Sequence, residues 1–486
     1  MAITVNTKAP LVGRVAEIAE MQQLLRSKES ELLAMFGRRR VGKTFLIKQV
    51  YQHDIVFQLT GLQKATKRAQ LDNFMSQRDS FFKQAKNLPS PKNWMQAFEQ
   101  LKKLYGKPRK KKAVIFFDEF PWLANGSSEF LSVFDNFWNT WAVDHNVLVV
   151  ICGSAASWII NNVINDTGGL HNRVTKTIHL KPFTLFETEQ FFTSRSINLP
   201  RKSIIELYMA FGGVPYYLKE LTRGQTHVTA INKICFGKSA ALHREFDNLY
   251  KALFKNHNKH LAVVRALAKK WKGLSRYEII DITGLNSGGA LTAILQDLEM
   301  SDFIQSYVPF GKKQRDSMYR LTDEFSLFYL RFVENNKTKK DYWLTKYNTP
   351  SVNAWKGYAF ETLCTKHVDG IKRSLGIHGI YSQQCSFTQV AKSSESGFQI
   401  DLLIDRADNA INVCEIKYTT EAYTITAQDI EHWQQRLAKF RSLSKTRKQL
   451  FLTLIAANGV ADNKHAVLVD KVLTQEALFD KDLELT

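Results

Sequence analysis

The chain lacks the features that assign many proteins to a class at sight. Cysteine is scarce, with five residues in 486: Cys152, Cys235, Cys364, Cys385 and Cys414. They are scattered, odd in number and in several cases set in apolar runs. That excludes a disulfide or zinc framework and reads as small buried side chains in a reducing compartment. No apolar run approaches the roughly 18 residues of a membrane-spanning helix, so no membrane partner is expected. Residues 1–10 carry no hydrophobic segment of a secretory signal, and the expected location is cytoplasmic. Internal repeats and low-complexity tracts are absent. Acid is in deficit: 46 Asp and Glu against 67 Lys and Arg leave a formal net charge of +21. Such a surplus favours polyanions, whether DNA, RNA or an anionic surface, without choosing among them.

What is present is enough to build cores. Apolar residues make up 44% of the chain, with 32 Phe and 16 Tyr, which excludes wholesale disorder. The length suits about two to four domains. In the first half, apolar runs at 32–36, 56–61, 113–117, 147–152 and 178–180 alternate with helix-periodic stretches, including 65–104 and 130–141. This alternation predicts a parallel sheet covered by helices on both faces. Helices at 204–220 and 231–253 read as a lid or bridge. Residues 261–268, 275–283 and 287–300 read as three helices, followed by a hairpin at 303–308 and 318–321, the pattern of a winged helix. Beyond residue 353 come a helix at 354–368, a hairpin at 398–404 and 411–418, a helix at 429–440, and strands at 449–456 and 466–469.

Two motifs in the first half carry chemistry. Gly37-Arg38-Arg39-Arg40-Val41-Gly42-Lys43-Thr44 is a full Walker A match, placed between a strand and a helix that begins near Phe45. Its glycines let successive backbone N–H groups wrap phosphates, and the helix adds its positive end. Lys43 is expected on the β- and γ-phosphates of ATP and Thr44 on Mg²⁺. The three arginines make the loop electropositive without each touching phosphate. The second motif is the strand 114–117 ending in Asp118-Glu119. Asp118 is the expected metal holder and Glu119 the general base for the attacking water.

This half resembles the archaeal-type ATPases of the AAA+/STAND group over roughly residues 10 to 240. Leu11-Val12-Gly13-Arg14 is similar to the box that lines the adenine side of the pocket in that family. Residues 149–154 resemble its sensor strand, which implies that Ser154 lies near the γ-phosphate, where many members carry asparagine. Gly212-Gly213-Val214-Pro215 is similar to the lid signature. His171-Asn172-Arg173 lies where members often carry an arginine, so the resemblance implies a γ-phosphate contact by Arg173, in cis or from a neighbouring copy.

The third helix of the winged-helix pattern, 287–300, has no lysine or arginine and includes Asp297 and Glu299. Basic residues cluster instead in the hairpin: Lys312, Lys313, Arg315 and Arg320. Contact through the wing is therefore expected over helix readout, with a protein-contact or spacer role as the alternative.

In the last part, strand period puts Glu415 and Lys417 on one face, with Asp401 near them if the strands pair. Glu361 comes from an upstream helix. Three carboxylates and a lysine suit Mg²⁺ or Mn²⁺. The pattern resembles the PD-(D/E)xK nuclease superfamily over roughly residues 350 to 475, and the C-terminal domain found fused to this group of ATPases. That resemblance implies Asp401, Glu415 and Lys417 as the D, E and K and Glu361 as the accessory acid. Gln434 would match the glutamine seen after the core. Ile400 stands where the proline would be.

The expectation is thus an α/β chain: a P-loop ATPase core over 1–200, a helical lid over 201–255, a winged helix over 256–345 and a restriction-endonuclease-like domain over 346–486. Its cofactors would be ATP and Mg²⁺, with Mn²⁺ possible at the C-terminal site, and its partner DNA. A homo-oligomer or a partner protein fits equally. ATP state would control DNA engagement and metal-dependent cleavage. The alternatives are a STAND-like switch, or a regulatory ATPase, whose C-terminal part only binds DNA or protein.

Overall fold

A computed structural model describes residues 10–106, 111–124, 128–165, 172–389 and 398–481. Lys107 to Lys110 of the basic run, His171 and Gly397 lie outside them. The chain forms two compact units. The first runs to Pro182 and takes in Met300–Asp302; the second is Phe183–Glu299 with the residues from Phe303 onward.

The first unit is a five-stranded parallel sheet with the order β2-β3-β4-β1-β5. Its strands are β1 (Glu31–Phe36), β2 (Ile55–Thr60), β3 (Ala113–Asp118), β4 (Val147–Gly153) and β5 (Lys176–His179). Every residue of β3 and β4 is buried, as continuous apolar runs predict for strands covered on both faces. The register pairs Phe36 with Gly153 and Thr60 with Asp118. The carboxyl ends of β1, β2, β3 and β4 therefore share one edge, which is where parallel sheets place ligands. Aromatic rings, among them Phe57, Phe74, Phe98, Phe117 and Phe134, fill the layer on one face.

The second unit opens with helices. Leu185–Ser194 was not anticipated. The expected helix 204–220 breaks at Gly212-Gly213 into Arg201–Phe211 and Pro215–Leu218, and 231–253 breaks into His227–Cys235 and Glu245–Leu253. The first helix ends where Gly212 turns to φ 62°, and Gly213 then passes so close to the Phe183 carbonyl oxygen that a Cβ would stand 1.8 Å from it. Next come helices His257–Ala268, Arg276–Thr283 and Gly289–Met300. A three-stranded antiparallel sheet, ordered β6-β8-β7, is built from β6 (Leu274–Ser275), β7 (Ile304–Tyr307) and β8 (Met318–Leu321).

The last part holds helix Pro350–Lys366 and a second five-stranded sheet, ordered β13-β12-β11-β10-β9. Its members are β9 (Ser382–Gln389), β10 (Phe398–Arg406), β11 (Ala410–Lys417), β12 (Gln449–Ala456) and β13 (Lys471–Leu473). β9, β10 and β11 are antiparallel neighbours; β11, β12 and β13 run parallel. Residues 466–469 are not the expected strand: Ala466–Leu468 is a 3₁₀ turn, and the edge strand follows it. Helix Ala427–Ser444 packs on this sheet.

A buried charge network ties the helices to this sheet within the second unit. Glu206 is almost fully buried. It accepts hydrogen bonds from Tyr347 Oη at 2.7 Å and Tyr418 Oη at 3.0 Å, and pairs with Lys356 at 3.2 Å and His227 at 3.4 Å. Burial alone would raise its pKa. The hydrogen bond from His227 and the Lys356 charge outweigh burial and hold it at about 2. A carboxylate whose folded pKa lies below its unfolded value stabilises the fold above the unfolded value, and that stability is lost as pH falls through the folded one. Glu206 is therefore expected to supply on the order of 3 kcal/mol that fades between about pH 4.5 and about pH 2. Urea unfolding of Glu206→Gln should show a weaker pH dependence across that window than wild type. Parallel curves would refute the assignment.

Candidate functional site

The phosphate loop leaves β1 at the shared sheet edge. Gly37 has φ 144° and lies so close to the Leu180 carbonyl that a Cβ would approach it to 2.3 Å, so only glycine fits. Gly42, at φ 96°, turns the chain into helix Lys43–Tyr51. Val41 is buried in the core beneath the loop, Arg38 is also buried, and Phe45 is exposed. Arg39 and Arg40 are half-buried.

The Lys43 ammonium donates to the Gly37 and Arg38 carbonyls, both at 2.9 Å, and to Ser154 Oγ at 3.3 Å. Burial lowers its pKa, and the nearby charges of Glu119 and Asp118 oppose that. Thr44 Oγ1 lies 3.0 and 3.1 Å from the two Asp118 oxygens. A hydroxyl and a carboxylate so paired can hold Mg²⁺ between loop and strand. β4 sits between β1 and β3, so Ser154 at its end stands between Lys43 and Glu119. It donates to Glu119 through Oγ at 3.1 Å and through its backbone N–H at 3.3 Å.

Glu119 has φ 45°, a left-handed conformation that non-glycine residues adopt at a cost of about 1–3 kcal/mol. The strain aims its carboxylate back toward Ser154. Burial raises the pKa of both Asp118 and Glu119. One contributor escaped the sequence reading: the Cys152 thiol, treated there as an inert buried group, hydrogen-bonds Asp118.

Gly13 and Arg14 both have positive φ where they lead into helix Val15–Arg26. The Arg14 guanidinium donates to the Lys181 carbonyl at 2.7 Å, tying the segment that carries Val12 to the chain after β5. Arg173 is not brought to this site. It lies exposed in a turn ahead of β5, where the Thr175 N–H donates to the Leu32 carbonyl. That end of β1 is four strand residues, about 13 Å, from the phosphate loop.

A second constellation forms in the second unit. The register Leu402↔Cys414 sets Asp401 across from Glu415, and the β9–β10 pairing slips between Ile400 and Leu403. Bulges of this kind re-aim a side chain, here Asp401. Lys417 Nζ lies 2.9 Å from Glu415, and Arg436 of helix Ala427–Ser444 lies 3.3 Å from its other oxygen. Arg436 also donates to the Gln399 carbonyl at 2.6 Å. Gln434, expected to serve from this helix, is exposed, and Arg436 takes the place beside the acid. Gln399 Nε2 donates to Asp401 at 2.5 Å.

Glu361 faces this group from helix Pro350–Lys366. Burial first, then the Asp401 and Glu415 charges, raise its pKa to about 8, against the opposing charges of Lys272 and Lys417. Lys272, from the turn before β6, had no sequence signal. Among the described residues no group of three or more His, Cys, Asp or Glu is arranged to hold a metal ion.

The basic residues of the β7–β8 hairpin divide. Lys312, Lys313 and Arg315 are exposed at its tip. Arg320 instead turns inward, stacking over the Tyr307 ring at 5.2 Å. Phe310 anchors the hairpin to the C-terminal sheet: its N–H donates to the Ser386 carbonyl at 2.7 Å and its ring meets Phe440 at 5.5 Å. The acids of helix Gly289–Met300 are engaged locally. Asp297 pairs with His260 at 3.0 Å, and Glu299 accepts from the Ser306 N–H at 2.9 Å.

Residues 11–221 match a family model described as an ATPase domain predominantly from Archaea. This part of the chain is similar to the archaeal-type ATPase domains that this family model describes. An uncharacterized protein of Methanocaldococcus jannaschii is 22% identical over 423 residues, covering 84% of this chain and 87% of that protein. Among solved structures, a Walker-type ATPase of Pyrococcus abyssi aligns over 66% of this chain and 96% of its own, with 17% identity and a TM-score of 0.46. The ORC2 protein of Aeropyrum pernix aligns over 69% and 94%, with 14% identity and a TM-score of 0.39. No described helix is long and apolar enough to cross a membrane.

Proposed function

We propose that the nucleotide state of the ATPase domain controls engagement of DNA by the second unit. In this reading residues 256–345 are a winged helix, and the C-terminal sheet is a PD-(D/E)xK-like centre for metal-dependent phosphodiester cleavage. At the nucleotide site Lys43 takes the β- and γ-phosphates, Thr44 and Asp118 hold Mg²⁺, and Glu119 draws the proton from the attacking water. Ser154 keeps Glu119 aimed. Arg173, remote from its own loop, serves a neighbouring copy.

The observation that carries the C-terminal reading is the register that sets Asp401 across from Glu415, with Lys417 2.9 Å from Glu415 and Glu361 near enough for both acids to raise its pKa. Partly buried carboxylates set against one another are costly unless something offsets their charge. Hard oxygen donors suit Mg²⁺ or Mn²⁺, which Asp401, Glu415 and Glu361 would hold. When bound, the metal supplies polarisation of the scissile phosphate. Lys417 orients the nucleophile, and the formal charge of +21 favours a polyanionic substrate.

Glu361 with its raised pKa contributes stability below its unfolded value of about 4.5, and this is lost as pH rises through about 8. It is mostly protonated at pH 7, so cation binding there must expel that proton. Calorimetry of Mg²⁺ binding in buffers of different ionisation enthalpy should give release of about one proton, which disappears in Glu361→Gln. No Mg²⁺ binding beyond the nucleotide site would overturn the metal reading. The second reading, a STAND-like switch or regulatory ATPase that binds DNA or protein without cleaving, draws on the absence of a closed three-ligand set among the described residues.

A further inference from the structure

Between the β7–β8 hairpin and the C-terminal sheet lies a cavity of about 220 Å³, lined among others by Tyr307, Arg320, Thr365, Gln384, Ser386 and Asp401. Its polar wall holds one cation, Arg320, and one acid, Asp401, among amides and hydroxyls. Arg320 gives one hydrogen bond, from Nη2 to Gln305 at 2.8 Å, while its Nε is buried with no acceptor among the described residues. A buried guanidinium N–H without an acceptor is costly and calls for an anion or water. Asp401 acts on Arg320 through space and not as a hydrogen-bond partner, so it does not fill that role.

We propose that this cavity is a phosphate subsite for a polynucleotide backbone, with Arg320 as the anchoring cation. Guanidinium is the side chain best matched to a phosphodiester, because its planar fork meets two oxygens at once. The exposed Lys312, Lys313 and Arg315 lie farther along the same hairpin and continue a basic path away from the subsite. Asp401 on the cavity wall places the bound phosphate beside the carboxylate cluster. The inference rests on the reading of that cluster as a phosphodiester site, and it assigns the hairpin a part in building it.

The test is binding of a short fluorescein-labelled DNA duplex in EDTA over a salt series, so that no cleavage is needed. Arg320→Ala should weaken binding about tenfold and reduce the salt slope by about one. Arg320→Lys should recover part of the affinity, which a collapsed hairpin would not. Asp401→Asn should tighten metal-free binding by removing a negative charge beside the phosphate. Unchanged or tighter binding in Arg320→Ala overturns the proposal; tighter binding would mean that the arginine plugs the site. Competition by inorganic phosphate with duplex affinity indifferent to Arg320 would mark a small-anion pocket and overturn it equally. Loss of cleavage activity in a separate Mg²⁺ assay bears on the nuclease reading alone.

Discussion

Glu119→Gln is expected to lower ATP turnover by about 10²–10⁴-fold while leaving nucleotide binding intact. The substitution keeps the side chain's size and one of the two oxygens that accept from Ser154, whose hydroxyl donates to Oε1 and whose N–H donates to Oε2. It removes the basic group and one of those two acceptors. That group suits its task because burial raises its pKa, so the carboxylate is a stronger base than an exposed one. Lys43→Ala should behave differently. It deletes the cation at the centre of the loop and should lose binding and turnover together. Equilibrium binding of a fluorescent ATP analogue, alongside phosphate release, separates the two outcomes. Turnover kept in Glu119→Gln but lost in Lys43→Ala would contradict the role given to Glu119.

Asp401→Ala and Lys417→Ala are each expected to cut Mg²⁺- or Mn²⁺-dependent DNA cleavage by about 10²–10³-fold or more. Asp401 is aimed by a strand bulge and held by Gln399; Lys417 is held by Glu415. Both positions are partly solvent-accessible, so truncation should cost little stability, and an unchanged melting temperature would establish that. Glu361→Gln should have a smaller effect at neutral pH, where Mg²⁺ must first displace the Glu361 proton, and should flatten the rise in rate toward pH 8. Equal cleavage by wild type and both variants would sink the nuclease reading and leave a binding unit.

The nucleotide site was legible because a short contiguous motif fixes its own geometry. Gly37 to Thr44 needs only a strand before it and a helix after it, and the apolar run 32–36 signals the first. Asp118 and Glu119 end a run buried on both faces, which few other structures explain. Ser154 came only from the resemblance of residues 149–154 to a sensor strand, and the structure sets it beside the site because β4 lies between β1 and β3. Arg173 could not be placed from its neighbours: position relative to a sheet edge depends on which end of β1 pairs with β5.

The C-terminal site was legible only in part, because its members come from separate elements. Period-two alternation put Glu415 and Lys417 together. The bulge that aims Asp401 leaves no local signature, and neither does the approach of Lys272. The edge strand β9, reading Ser-Gln-Gln-Cys-Ser-Phe-Thr-Gln, is too polar to announce itself, since an edge needs apolar residues on one face only. The strand expected at 466–469 failed for the opposite reason. Its apolar residues sit in a turn, Val467 is exposed, and the strand begins two residues after it ends. Arg320 looked like one more wing cation because charge alone does not tell a solvated arginine from a buried one.

The claim that joins the two halves is that nucleotide state governs phosphodiester chemistry. Its most direct test is the rate of cleavage of supercoiled plasmid DNA in Mg²⁺, with and without ATP, by wild type and Lys43→Ala. The account predicts that ATP changes the wild-type rate about tenfold or more, a coupling on the order of 1–3 kcal/mol, and that Lys43→Ala does not respond. Wild-type cleavage at the same rate with and without ATP, or a Lys43→Ala variant that responds as wild type does, would contradict it.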